Sequence, residues 1–181
     1  MLQIDVQLSP EGWDEKNRVF IDPKTVTLQL EHSLISISKW ESKWHKPFIS
    51  KKEKTPEEII DYIKCMTLTQ NVKPEVYEHI TQENVEQVNE YIGNPMTATT
   101  FSKREGKGGS NEIVTSEILY YDMVAYNIPF ECQKWHLNRL LTLIRVCGEK
   151  NNPGKKMSRN DILSRNAKLN EARRKMLHSK G

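Results

Sequence analysis

Cysteine is scarce in this chain: Cys65, Cys132 and Cys147 are the three among 181 residues. So odd and sparse a set supplies no disulfide framework and fits a reducing compartment. No stretch approaches the ~18 consecutive apolar residues that a membrane span needs. The opening MLQIDVQLSPEGWDE lacks the basic and apolar regions of a secretory leader. A soluble intracellular protein with no membrane association is expected. Catalytic signatures are also lacking: there is no GxSxG, no HExxH and no DxDxDG loop. Gly106, Gly108 and Gly109 are not followed by the Lys-Ser/Thr of a phosphate loop and read as a flexible tip. The chain is therefore expected to be no enzyme and to carry no cofactor.

Acids are missing from one region only. Residues 150–181 hold 10 of the 27 Lys+Arg and two acids, Asp161 and Glu171, a balance of +8. The preceding 149 residues then carry 17 bases against 22 acids, a balance of −5. An acidic body with a basic arm predicts an acidic partner for the arm, either protein or nucleic acid. With 36% hydrophobic residues, the body has enough apolar material for a packed core.

The hydrophobic period predicts an α+β fold: a small N-terminal antiparallel sheet, a mainly α-helical body and a basic C-terminal helix. Leu2, Ile4, Val6 and Leu8 alternate with polar residues as in a half-buried strand. Residues 9–17 read as a turn, and further strands are expected at 19–21 and 26–30, the three forming one sheet. Near Leu30 the period changes to that of a helix over 33–44, ended by Pro47. Thr55-Pro56-Glu57-Glu58 is a capping box with proline in the first turn, and Ile59, Ile60, Ile63 and Met66 form the expected buried stripe. Glu57 and Asp61 read as a solvated face. Pro74 and Thr81 open two shorter elements, and Gly93 closes the second. In the next helix Ile118, Tyr121 and Ala125 share a face, residues 132–147 read as one helix, and Tyr121, Trp135, Leu140 and Ile144 are expected to be buried. Ser158 and Asp161 resemble a cap for a last helix. The organisation expected is 1–93, an α+β half; 94–111, a flexible linker or hairpin; 112–150, a helical hairpin; and 151–181, a basic arm.

Few residues suggest a site. Cys132 and His136, four apart on one helix, have a spacing that can hold zinc, but no further pair completes a ligand set. Trp40 and Trp44 share a helix face and read as core. The arm places Arg159, Arg165, Lys168, Arg173, Arg174 and Lys175 where they can meet an acidic protein surface or phosphates. It has no aromatic residue for stacking on bases, so protein is the favoured partner and nucleic acid the alternative.

Residues 117–145, EILYYDMVAYNIPFECQKWHLNRLLTLIR, carry a family resemblance. An aromatic-rich helix, a short Asn-Ile-Pro-Phe break and then Trp135-His136 with Leu140-Leu141 resemble the tail assembly chaperones of long-tailed phages, encoded just upstream of the tape-measure protein. The LEHSL opening and basic tail resemble phage structural-module sequence as well. Asn127 stands where glycine is more usual, and the long arm is a second departure. The resemblance implies a mainly helical, oligomer-forming protein of the host cytoplasm. Such a protein coats the tape-measure protein, without a cofactor, until the tail tube protein polymerises around it. Trp135, His136 and the arm cations would then contact the partner. A structural tail or connector component of the virion, or a small nucleic-acid-binding protein, are the alternatives.

Overall fold

In the computed structural model, residues 1–9, 12–14, 19–21, 23–50, 52–101, 113–151 and 159–177 are described. The strands are β1 (Leu2–Gln7), β2 (Gly12–Asp14), β3 (Val19–Ile21) and β4 (Thr25–Leu30). They form two antiparallel pairs, β1 with β4 and β2 with β3, in place of the one three-stranded sheet expected. The reason lies in register. β1 and β4 match over six residues, from Leu2↔Leu30 to Gln7↔Thr25. That pairing brings Ile4, Val6, Leu28 and Leu30 onto one buried face. β3 is left to pair with residues 12–14, which had read as part of a turn. Beyond β4, the Glu31 amide donates to the Met66 carbonyl at 2.9 Å and the Leu68 amide to that of Gln29 at 2.8 Å, so residues 66–68 cover part of its outer edge.

Helix α1 (Leu34–Trp44) starts where Ser33 accepts the amide of Ser36, and it ends at His45 in the left-handed region, φ 52°. Leu34, Ile37 and Trp40 enter the core. Helix α2 (Pro56–Met66) has both halves of the Thr55–Glu58 capping box. Its buried residues are Glu58, Asp61, Tyr62, Ile63 and Met66. Ile59 and Ile60 are only half-buried. The stripe is turned from the expected one because Tyr62 packs inward on Phe48, ring centroids 4.0 Å apart, and Trp40 Nε1 donates to the Glu58 carbonyl at 2.9 Å. Asp61 is correspondingly buried, where a solvated face was expected. A 3-10 turn (Pro74–His79) leads to α3 (Gln82–Gly93), capped by Thr81 and Asn84. Asn84 Nδ2 also donates to the Asp5 carbonyl at 3.2 Å, tying α3 to β1.

Helix α4 (Ser116–Ala125) buries Ser116, Leu119 and Met123. Tyr121, expected in the core, is 70% exposed. Residues 132–147 are not one helix: a 3-10 turn (Phe130–Lys134) and an extended Trp135 precede α5 (Leu137–Asn151). Leu140 and Ile144 are buried as expected, whereas Trp135 is half-buried. The core centres on β1, β4, α1, α2 and the buried faces of α3, α4 and α5. Met1–Arg145 form one compact unit, so the segments read as an α+β half and a helical hairpin share a single core. Val146–Gly181 form the second unit, containing α6 (Arg159–Leu177). The flexible tip at 102–110 and the cap at Ser158 lie outside the described residues. Among the described residues no helix is long and apolar enough to cross a membrane.

Candidate functional site

His136 is buried within the unit formed by Met1–Arg145, 6% exposed. It bridges to Ser33 as an isolated β-pair, and the Leu137 amide donates to the His32 carbonyl at 2.7 Å. Its ring is held as one tautomer: Nε2 donates to the Tyr91 carbonyl at 3.0 Å, while Nδ1 accepts the Asn138 amide at 3.3 Å and so caps α5. Asn138 Nδ2 donates to the Ile92 and Asn94 carbonyls, closing the end of α3. Residues 136–138 are thus a clasp joining α1, α3 and α5. The side chain read as a partner contact is a core group.

Around this clasp lies a buried polar cluster that sequence reasoning missed. His32 Nδ1 meets the Tyr62 hydroxyl at 2.5 Å, and its ring lies edge-on to that of His136, centroids 5.1 Å apart. Burial, then the neighbouring His136, lowers the His32 pKa to about 3, so the imidazole is neutral. Burial lowers His136 as well and raises Tyr62 well above its usual value. Tyr91 Oη donates to Glu31 Oε1 at 2.7 Å, and Glu31 Oε2 pairs with the Met1 amine at 3.0 Å. Every group is neutral or paired, which describes a fold-defining network. Cys132 is buried and lies on the 3-10 turn, off any helix that carries His136. Among the described residues no three His, Cys, Asp or Glu side chains are grouped to hold a metal.

Glu41 was also unforeseen. Its Oε1 accepts the Phe48 amide and its Oε2 the Ser116 amide, both at 2.7 Å. One buried carboxylate thereby closes the loop after α1 and satisfies the start of α4, where a negative group is favoured.

The outward side is apolar. Tyr121 is 70%, Val124 60% and Phe130 54% exposed, and Ile113 and Val114 are exposed just before the helix. Glu117, Tyr121 and Val124 fall at i, i+4 and i+7 along one line. Residues 113–133 include the acids Glu117, Asp122 and Glu131 and no lysine or arginine. Solvent-facing helix sides are ordinarily polar, and this one exposes large apolar side chains. Trp135, the other expected contact, is half-buried with the Arg139 guanidinium 4.1 Å from its ring centre.

The arm residues behave differently from His136. Arg159, Arg165, Lys168, Arg173, Arg174 and Lys175 all lie on α6 and all are exposed. Lys175 pairs with Glu171 one turn away at 2.9 Å. Leu163, Leu169, Met176 and Leu177 are also exposed and fall over one half of the helix. The arm is a basic helix whose few exposed apolar residues are interleaved with polar and basic ones.

A groove of about 440 Å³ between α1, α2 and the Pro74–His79 turn is lined by Lys43, Trp44, Ile60, Asp61, Lys64 and Tyr77. Its charges are internally matched: Lys43 and Trp44 Nε1 both donate to Asp61. Burial pushes the Asp61 carboxyl up, but these two donors outweigh it and hold it below its usual value. No protein-family model matches the chain, and neither a curated protein nor a solved structure matches it.

Proposed function

We propose that this protein is a non-enzymatic tail assembly chaperone of long-tailed phages that holds the tape-measure protein until the tail tube protein assembles around it. The observation that carries the reading is the uncovered apolar face of α4 with Phe130. It lies within residues 117–145, the segment that resembles this family, and it has the form a helical cargo needs: a stripe of large side chains with acidic neighbours. The clasp at His136 fits the same reading, because His136 and Leu140 hold the fold and α4 is left to make contacts.

The test is co-purification of a tagged chain with the tape-measure protein, paired with mass spectrometry of finished particles. A chaperone binds the tape-measure protein and is missing from the particle. A chain retained in the particle would be a tail or connector component instead. The exposed cations of α6 favour one further reading, nucleic-acid binding, which would show as salt-dependent DNA affinity lost when residues 155–181 are deleted.

A further inference from the structure

The acid-flanked apolar face of α4 and the basic, partly apolar α6 are complementary in charge and in kind. We propose that α6 of one copy of the chain docks on the α4–Phe130 face of a second copy. The inference goes beyond the function above and does not depend on what the cargo is.

Three observations carry it. First, the α4 face is large and uncovered: Tyr121, Val124 and Phe130 all expose more than half of their surface. Second, acids outnumber bases around it: Glu117, Asp122 and Glu131 lie in residues 113–134 against one base, Lys134. Third, α6 supplies the converse: Leu163, Leu169, Met176 and Leu177 are exposed over one half of the helix, with Arg173 among them and Lys168 and Arg174 beside them. A helix laid into an apolar groove is anchored by residues at i, i+3, i+4 and i+7. Leu169 and Met176 are seven apart and meet that spacing. Two such arms or two such faces would oppose like charges, so unlike surfaces are the pairing that electrostatics favours. The apolar side chains supply the holding contact, and the charges fix its orientation and speed its formation.

Sedimentation velocity on the full chain over a wide concentration range, at low and at high salt, tests this. The full chain should associate, and salt should weaken the association. Tyr121→Glu should weaken it about tenfold or more. Because Tyr121 is exposed, that variant should melt like the parent. Two charge-reversed full chains refine the test, Glu117→Lys with Glu131→Lys, and Arg173→Glu with Arg174→Glu. Each should fail to associate alone, and an equimolar mixture should recover association. A parent that stays monomeric throughout overturns the proposal. So does a Tyr121→Glu variant that associates normally, or a mixture no better than its components. Tape-measure binding is measured separately, so loss of the cargo reading would leave this result standing.

Discussion

His32 is where solution acidity should act on the fold. It is 2% exposed and neutral beside Tyr62 and His136, with a pKa lowered to about 3 from 6.5. An unfolded chain binds this proton below about pH 6.5, whereas the folded chain does not until about pH 3. Stability therefore falls as pH drops through that window, by up to ~1.4 kcal/mol per pH unit. The lowered His136 adds in the same direction. Glu58 and Asp61, both lowered, contribute stability present above their unfolded values and lost at more acidic pH, so they do not explain a loss beginning near pH 6. Urea midpoints at pH 7.5 and 5 should show the drop, and His32→Gln should flatten it. Two other residues set contrasting costs. Trp40→Ala should cost ~3–5 kcal/mol, since its ring is fully buried and leaves a cavity. Trp135→Ala should cost less, because part of its ring surface is already wet. Glu41→Gln keeps the shape but gives one of two buried amides a donor to face. A loss of ~1–3 kcal/mol is expected in thermal or chemical melts.

Among the elements, those with local punctuation were legible from sequence. Thr55 and Thr81 each cap the helix they were read to open, because a cap is made by residues two or three positions away. Thr55→Ala should accordingly destabilise α2 by ~1 kcal/mol, read as a lower melting temperature. What failed was the choice of faces. Helix α4 is apolar on both sides, so spacing alone could not tell Leu119 and Met123 from Tyr121 and Val124. The surroundings that α4 packs into come from far away in sequence, as with Glu41, 75 residues from Ser116, and no local pattern reports them. The same holds for residues 132–147. His136 is drawn out of helical geometry by Ser33 and Tyr91, partners 103 and 45 residues away. Asn127 answers a question of its own: it has φ 53°, the left-handed region that glycine or asparagine tolerates. Asn127→Gly should melt like the parent, while Asn127→Val should lose ~1–2 kcal/mol.

At the scale of the molecule, the composition already separated an acidic body from a basic arm, and the arm cations are exposed along α6. Of the expected contacts, the arm residues stand on an accessible surface and His136 is core, while Tyr121, expected in the core, stands exposed on α4. Deleting residues 155–181 should leave the melting temperature of the body nearly unchanged while weakening self-association or cargo binding. Differential scanning calorimetry beside a binding assay reads both.

One consequence follows from the face and the arm being different surfaces. A patch that meets its own twin is saturated at two copies. A donor that meets an unlike acceptor leaves one acceptor and one donor vacant, so each contact can be returned or passed on. Returned, the exchange closes a pair of copies. Passed on, it grows a row whose length nothing in the subunit limits. A long filamentous template would then be the ruler that sets where such a row stops.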